Sequence, residues 1–330
     1  MKIRVGTFNL FQFVEPPYAW YSKKDKFNKR QWFEKTTWIK NQILEMDCDI
    51  IGFQEVFSQD ALKSLVHNLG FHYFETVDVA KLSTNNPQKY VSTIVAIASK
   101  HPITKIEDVE VHMPSVQKHD VVREDTEHFR FSRKHIKATV MLANKKELLV
   151  YVCHLKSNRL NEFEYVFHAN DTLKHKKELV FKALDGKHAT ALKQRLCEAS
   201  SLFFDIEKSK DKPTVLLCDL NDKEFSITID ALTNPRYHDE SNMNELVLHD
   251  AHHHYSQVVH NPHPEFKATK RKSTSYFLGK GNVLDYIFIA KELTQQVTNY
   301  LVLDNHLQEN KDGSLLQSDH AQVVCELTFT

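Results

Sequence analysis

The chain has 330 residues, of which 41% are hydrophobic and 11% aromatic, enough to bury a sizeable core and to exclude an intrinsically disordered protein. Its 43 basic and 43 acidic residues balance each other. No overall field therefore draws the molecule towards nucleic acid or an anionic membrane, and a polyanionic substrate has to be gripped locally.

The cysteines and apolar stretches bear on the compartment. The five cysteines form no CxxC pair, and three of them lie in apolar, strand-like runs, which predicts free thiols in a reducing compartment. No apolar stretch approaches the roughly 18 residues that span a bilayer, and the first strand begins at Lys2. We therefore expect a cytoplasmic monomer without a signal peptide or a membrane span.

The first predicted strand ends in a polar residue. Residues 2–10 alternate apolar and polar side chains and deliver Asn9 near the end of the run. The aromatic and proline content of residues 11–28 then predicts a packed loop that can form a binding rim. Trp20 and Tyr21 are the aromatic residues expected either near a substrate or in the packing of this loop.

A predicted helix leads to the second strand. Its apolar face is formed by residues that step by three or four, namely Trp32, Thr36, Ile39, Ile43 and Met46. The apolar run at 48–53 then predicts a buried strand, which continues directly into Gln54 and Glu55. A carboxylate thus ends the second strand.

The middle of the chain is predicted to be sheet with hairpin-like links. A short helix at 59–68 is followed by strands at 71–77, 91–98, 136–142 and 148–155. The segment FRFSR at 129–133 alternates aromatic residues with basic or hydroxyl residues and predicts a further strand. The strand at 148–155 ends in the sequence HLKSN, which begins with His154.

The stretch TVLLCDLND at 214–222 follows a charged segment and a helix stripe at 192–206. Its apolar half fits a strand buried on both faces, and its polar half marks the strand end. In an extended chain Asp219 and Asn221 project to the same side, as one charge and one amide, which suits a metal-bound phosphate. A polar turn is the alternative, because Asp and Asn favour turns themselves.

The last third adds two more candidate groups. The predicted strand at 282–289 contains Asp285, and the pair Asp319 and His320 precedes a final strand at 321–329. The histidines at 249–263 form either a transition-metal site or a solvated loop, and the lack of regular ligand spacing favours the loop. The lysine runs at 174–177 and 267–272 either grip nucleic acid or are solvated surface, and the zero net charge favours surface.

The chain contains no internal repeat, no low-complexity segment and no linker rich in Gly, Pro or Ser. It therefore predicts a single domain over residues 1–330. Strands with helices between some of them indicate a mixed α/β layered fold, and the hairpin-like spacings indicate a largely antiparallel sheet.

Polar residues at strand ends converge when those ends share one edge of a sheet. Glu55, with Asp319 and Asn9, offers the hard oxygen ligands that Mg²⁺ accepts. His320 offers an imidazole, whose ordinary pKa lies near neutrality, and Asp285 offers a carboxylate to orient it as a general base. The residues left to neutralise charge on the phosphorus oxygens are His154 and Asn221.

This ordered set resembles the endonuclease/exonuclease/phosphatase superfamily of Mg²⁺-dependent phosphoesterases over nearly the whole chain. The matching pieces are TFN at 7–9, QE at 54–55, FSR at 131–133, HLKSN at 154–158, CDLND at 218–222, LDYIF at 284–288 and SDH at 318–320. The resemblance implies a two-sheet sandwich with helices outside, a four-layer αββα arrangement, and a site at one edge.

The resemblance also implies residue roles. Glu55 is then the principal ligand of Mg²⁺, for which Mn²⁺ can substitute, with Asn9 and Asp319 near the metal. Asp219 aligns the attacking water. Asp285 orients His320, and His154 either holds the phosphate or assists the leaving group. The other residues implied to contact the phosphate are Arg133, Lys156, Asn158 and Asn221.

The chain departs from the family pattern at three places. Cys218 stands where the family commonly has Gly, which requires ordinary strand angles at that position. The deoxyribonuclease branch pairs its counterpart of His154 with a Glu, but residues 88–92 contain no carboxylate, so His154 is expected to act by hydrogen bonding. Phe11 replaces an Asp of the abasic-site branch, which counts against close kinship with repair enzymes.

Three functions follow from the resemblance. The first is a phosphodiesterase that cleaves DNA or RNA, favoured by the FSR and HLKSN segments. The second is a phosphatase or phosphodiesterase for small-molecule or lipid phosphates. The third is a catalytically inactive binding scaffold, which the joint presence of the polar set makes the weakest of the three.

Overall fold

Two six-stranded sheets lie face to face in the computed structural model and carry helices on their outer surfaces. The structure describes residues 1–20, 26–118, 129–157, 165–184, 190–239, 245–255, 271–277, 279–309 and 316–329. Within these ranges, no helix combines the length and apolar character needed to cross a bilayer.

The strands are numbered in chain order. They are β1 (Lys2–Phe13), β2 (Ala19–Trp20), β3 (Ile50–Val56), β4 (Tyr73–Glu75), β5 (Leu82–Ser83), β6 (Asn86–Tyr90), β7 (Ile94–Ser99), β8 (Ile103–Asp108), β9 (Ile136–Met141), β10 (Glu147–His154), β11 (Thr214–Asp219), β12 (His249–Asp250), β13 (Ser275–Phe277), β14 (Lys280–Asn282), β15 (Asp285–Ile289), β16 (Val297–Leu303) and β17 (Gln322–Thr328).

The helices are numbered in the same way. They are α1 (Lys29–Met46), α2 (Gln59–His67), α3 (Met113–Lys118), α4 (Leu173–Leu184), α5 (Thr190–Glu207), α6 (Ile227–Thr233) and α7 (Asn305–Glu309), with 3₁₀ turns at Pro235–His238, Ala251–His254 and Lys291–Gln296.

The sheets are largely antiparallel, as predicted. The first has the order β16-β17-β1-β3-β7-β4 and the second the order β12-β15-β11-β10-β9-β8. The parallel pairs are β1 with β3 in the first sheet and β10 with β11 in the second. Parallel neighbours end at the same edge. Each sheet therefore presents two adjacent strand ends at the edge where the polar residues were predicted.

Three apolar clusters define the four layers. Between the sheets, side chains such as Val5, Val152 and Ile287 form the central core. One outer face is covered by α1 and α2, through residues that include Ile39 and Leu62. The other is covered by α4, α5 and α6. The predicted helix stripes on α1 and α5 are thus part of the core, and the αββα prediction is confirmed.

Some local predictions were wrong. Residues 129–133 form a bend rather than a strand, while β8 and β16 were not predicted. These two strands lie at the edges of their sheets, where half-exposed residues weaken the apolar pattern. Trp20 belongs to packing, since it is buried against Phe27. Tyr21 lies outside the described residues.

The lysine runs are largely engaged within the protein. Lys176 is buried against Asp230 at 2.9 Å, and Lys177 donates to the Tyr237 carbonyl. Residues 267–270 are not described, whereas Arg271 contacts Asp250 and Lys272 contacts Asp304. The described part of these runs therefore offers no continuous basic surface for nucleic acid.

The histidine-rich stretch does not assemble a metal site in its described part. Residues His249 to His254 form β12 and a 3₁₀ turn. Among all described residues, the one group of three or more candidate ligands that converges is Asp219, Asp285 and His320. The five cysteines are free and buried, as expected, and Cys218 has ordinary strand angles.

The buried His135 makes stability depend on pH. Burial, and secondarily the charge of Arg133, lowers the pKa of His135 to about 3, so the folded protein keeps this ring neutral. The unfolded chain binds a proton at this residue below its ordinary pKa of about 6.5, which destabilises the fold as pH falls from about 6.5 towards 3.

We therefore expect His135→Phe to flatten the acid limb of the stability curve. Removing one proton of linkage changes the slope of the unfolding free energy by about 1.4 kcal/mol per pH unit. Urea denaturation at pH 5.0 and 6.5 measures the slope, and His72→Phe, a change at an exposed position, is the matched control. Equal slopes in wild type and His135→Phe would contradict a neutral buried ring.

Candidate active site

The ends of β1 and β3 are held by a pair of local distortions. The register between these strands shifts after Asn9, and Phe11, Gln12 and Glu55 have positive φ angles of 49°, 63° and 58°. The backbone amide of Gln12 donates to Glu55 Oε2 at 2.9 Å. Backbone in this region costs energy for residues other than Gly, so these distortions at two adjacent strand ends mark a candidate site.

Asp219 is the centre of the candidate site. It ends β11, is fully buried, and its Oδ2 accepts a hydrogen bond from Asn9 Nδ2 at 2.9 Å. Its Oδ1 accepts a hydrogen bond from the backbone amide of Asn221 at 2.9 Å. His154 Nε2, at the end of β10, lies 3.4 Å from Oδ2. Burial raises the pKa of Asp219, which His320 opposes. Side chains from both sheets, Asn9 from the first and His154 from the second, thus contact this carboxylate.

His320 and Asp285 form the predicted pair. Because β15 runs antiparallel to β11, its first residue, Asp285, lies directly opposite Asp219. His320 Nδ1 is 2.8 Å from Asp285 Oδ2 and 4.0 Å from Asp219 Oδ2. The Asp285 amide donates to Thr274 Oγ1, which fixes the strand start. The other ring nitrogen of His320, Nε2, is left to face Asp319 Oδ1 at 3.9 Å.

The pKa of His320 differs from the near-neutral value expected from the sequence. Burial alone lowers the pKa, but the charges of Asp285 and Asp219 outweigh it and raise the pKa well above its ordinary value. The imidazolium is therefore stabilised by two carboxylates. A base step needs the neutral ring, which is populated only above this raised pKa, and Asp285 then holds the protonated product of that step.

The backbone around His320 is fixed by two polar side chains. Ser318 is fully buried, donates to the Asn9 carbonyl at 2.6 Å and accepts from the His320 amide at 3.0 Å. His306 Nε2 lies 3.0 Å from the His320 carbonyl. Ser318 thereby ties the SDH segment to the end of β1.

Two of the residues predicted to hold the phosphate bind the same carbonyl group. Arg133 Nη1 and Asn221 Nδ2 each donate to the Leu155 carbonyl at 3.0 Å. Arg133 Nε is buried and has no hydrogen-bond partner among the described residues. Lys156 follows Leu155, while Asn158 lies outside the described residues. We call Arg133, Lys156 and Asn221 the phosphate grip.

The position of Asn221 is not the one that side-chain alternation along a strand predicts. It lies beyond the end of β11 with φ of 51°, a left-handed conformation that Asn tolerates. Its backbone amide donates to Asp219 Oδ1, which forms a turn, while its side chain donates to the Leu155 carbonyl. The expectation that the side chains of Asp219 and Asn221 project to one face of an extended strand was therefore wrong. The polar turn that was the alternative is present, and it carries residues of the candidate site.

His154 is neutral in this environment. Burial, followed by the charges of Arg133 and His320, lowers its pKa well below the ordinary value. Its Nδ1 is buried and has no hydrogen-bond partner among the described residues, so no carboxylate charges this ring from that side. This geometry suits a hydrogen-bonding role and not that of a strong acid.

The charges of Glu55 and Asp319 suit a hard divalent cation, although neither residue belongs to the converging group of Asp219, Asp285 and His320. Burial first, and then the charge of Asp319, raises the pKa of Glu55. Asp319 Oδ1 is buried and accepts no hydrogen bond from a described residue. Like charges with an orphaned oxygen are stabilised by a cation, and carboxylate oxygens are the ligands that Mg²⁺ prefers. Asn9 is paired with Gln54, the residue before Glu55 on β3, and its side chain donates to Asp219.

Lys35 is a residue of the candidate site that the sequence pattern did not reveal. It is fully buried on α1, and burial lowers its pKa to about 7 although the charges of Glu55 and Asp319 oppose that shift. Its ammonium group also lies 5.9 Å from the Phe11 ring centre. The available signal was its spacing, because it lies four residues before Ile39 on the apolar stripe.

Comparison with known proteins identifies a family for the chain. The Endonuclease/Exonuclease/phosphatase family matches residues 6–320. The structure of the human Nocturnin catalytic domain with bound sulfate is 16% identical, with a TM-score of 0.59, and the match covers 100% of this chain and 94% of that one.

Two further solved structures have the same fold. An AP endonuclease from Archaeoglobus fulgidus is 14% identical, with a TM-score of 0.54 and 99% and 100% of the two chains covered. A humanized D. rerio TDP2 is 12% identical, with a TM-score of 0.55 and 99% of each chain covered. No curated protein matches the chain. Such low identities show the fold alone, whereas the family match spans nearly all of the sequence, and the chain therefore belongs to the endonuclease/exonuclease/phosphatase family.

Proposed function

We propose that this protein is a Mg²⁺-dependent phosphodiesterase that cleaves DNA or RNA, with Mn²⁺ able to substitute. The observation that carries this proposal is the His320 to Asp285 hydrogen bond of 2.8 Å, placed beside Asp219 and facing the unsatisfied oxygen of Asp319. A base, a water-aligning carboxylate and a cation site at one sheet edge are the parts that phosphoester hydrolysis needs.

Each residue has a role in this proposal. Glu55 and Asp319, with Asn9, hold the divalent cation, which supplies Lewis-acid stabilisation of a phosphoryl oxygen when bound. Asp219 aligns the attacking water, and His320 Nε2 accepts its proton while Asp285 holds Nδ1.

The phosphate grip stabilises the charge that builds on phosphorus oxygens. Arg133 supplies a cation and Asn221 an amide donor, both fixed on the Leu155 carbonyl, and Lys156 supplies a second cation. His154 adds a neutral ring beside them. Donors fixed in advance require little reorganisation in the transition state.

Small-molecule or lipid phosphodiesters are the second candidate substrates. They are favoured by the balanced net charge and by the engagement of Lys176, Arg271 and Lys272 in ion pairs, which leaves the local grip as the described cationic feature of the site. The FSR and HLKSN segments, which resemble the nuclease-like branch of the family, favour nucleic acid as the first candidate.

A phosphoester panel tests both. We expect hydrolysis of a diester such as bis-p-nitrophenyl phosphate to exceed that of the matching monoester, to require Mg²⁺ or Mn²⁺, and to stop with EDTA. Plasmid, single-stranded oligonucleotide, inositol phosphates and sphingomyelin separate the substrate classes. Activity that survives EDTA, or a monoester cleaved faster than its diester, would contradict the proposal.

A further inference from the structure

A fully buried carboxylate on α5 joins two loops of the candidate site. Glu198 is 0% exposed. Its Oε1 accepts hydrogen bonds from the Ser132 amide at 2.6 Å and from Gln194 Nε2 at 3.0 Å. Its Oε2 accepts from the Lys156 amide at 2.7 Å. One side chain therefore binds the backbone of the FSR segment and that of the HLKSN segment together.

Both bound amides belong to the phosphate grip or adjoin it. Ser132 immediately precedes Arg133, and Lys156 is itself a member. Neither segment is regular strand at this point, so the sheet ladders do not fix these amides. A buried charge is a costly way to stabilise a fold, since an apolar core does so at least as well. The buried charge of Glu198 therefore indicates a geometric role, which is to fix the spacing between Arg133 and Lys156.

Arg195 extends the same support to the third loop. One turn earlier on α5, its Nη1 donates to the Lys156 carbonyl at 3.3 Å, and its Nε lies 3.4 Å from Asp222 Oδ2. Asp222 follows Asn221, the third member of the grip, and also accepts from Thr228 at 2.6 Å. The helix thus contacts all three loops that carry the grip.

We propose that Glu198 and Arg195 are positioning residues that set the mutual placement of Arg133, Lys156 and Asn221 for binding a phosphoryl group. They do not touch the substrate. This inference rests on the proposed function, because it concerns the phosphate grip of that site. It adds that the affinity for the phosphate is controlled from α5, behind the site.

Glu198→Gln tests the proposal with little change in volume. The carboxylate accepts bonds at both oxygens, whereas an amide has one acceptor and must turn its NH₂ group towards either Ser132 or Lys156, where two donors then face each other. We expect one loop to detach, inorganic phosphate affinity to fall about 10-fold, and kcat/KM to fall between about 10- and 100-fold, mainly through KM.

Two measurements make the result independent of turnover. Inorganic phosphate binding is titrated by calorimetry, and amide hydrogen exchange is followed for residues 129–133 and 155–157. Faster exchange together with weaker phosphate binding is the expected result. Ser200→Ala is the matched control, since this buried hydroxyl of α5 has no hydrogen-bond partner among the described residues, and it should leave both quantities unchanged.

Unchanged phosphate affinity in Glu198→Gln despite faster exchange would overturn the proposal, because Glu198 would then serve folding alone. Arg195→Lys is the second variant, to be used if Glu198→Gln does not fold, and should weaken phosphate binding in the same direction. A wild-type protein that binds phosphate but hydrolyses no phosphoester would refute the proposed function while the positioning role is still decided by binding and exchange.

Discussion

Glu55→Gln is expected to lower Mg²⁺-dependent phosphodiester hydrolysis by at least about 10³-fold, since a bound metal supplies several kcal/mol of transition-state stabilisation. The substitution removes the charge that attracts a hard cation to the end of β3. It keeps an oxygen that can accept the Gln12 amide, the bond that holds Glu55 in its left-handed conformation. The loss should therefore come from metal binding and not from unfolding.

Calorimetric titration with Mg²⁺ and Mn²⁺ separates these causes. Metal affinity should fall in Glu55→Gln while thermal stability without metal stays nearly the same, because the substitution removes both the repulsion from Asp319 and the attraction to Lys35. Glu75→Gln, the same change at an exposed position of β4 in the same sheet, is the control. Wild-type metal affinity in the Glu55 variant would refute its assignment as a ligand.

Much of the sandwich was predictable because its inner strands are apolar runs that can be buried only on both faces. The run at Thr214–Asp219 is entirely buried, as its sequence indicates, and the polar residues after it end the strand. The FSR segment was mistaken for a strand because its aromatic alternation resembles one. In the fold Phe131 packs against His135, and the Ser132 amide bonds Glu198 instead of a ladder partner.

The site was predictable in its membership more than in its geometry. Strand ends placed Asp219, His154 and Asp285 together, because these residues are paired along neighbouring strands. Lys35 and Glu198 were not predictable by that reasoning. A charged residue on an apolar helix stripe is ordinarily a surface residue, and its burial shows only when the sheet edge beneath the helix supplies partners of opposite charge or backbone donors.

His320→Ala is expected to lower kcat by on the order of 10² to 10⁴ with little change in KM, the usual contribution of a general base. The ring has one nitrogen on Asp285 and the other directed towards the cation site, which is the arrangement for taking a proton from a water there. Steady-state kinetics with a diester gives the effect. His72→Ala, at an exposed position, should leave the rate unchanged.

Asp285→Asn should reproduce much of that loss, and the two substitutions should not combine multiplicatively. The introduced amide side chain cannot stabilise the imidazolium as a carboxylate does and can present the wrong hydrogen-bonding group to Nδ1. A misdirected base and an absent base impair the same step, so the double variant should be close to His320→Ala alone. Because Asp285 Oδ2 lies 2.8 Å from Nδ1 whereas Asp219 Oδ2 lies 4.0 Å away, the coupling should be stronger for Asp285 than for Asp219. A double variant whose rate falls by the product of the two single effects would mean that the residues act independently, and the pair would have to be replaced by two separate contributions to the rate.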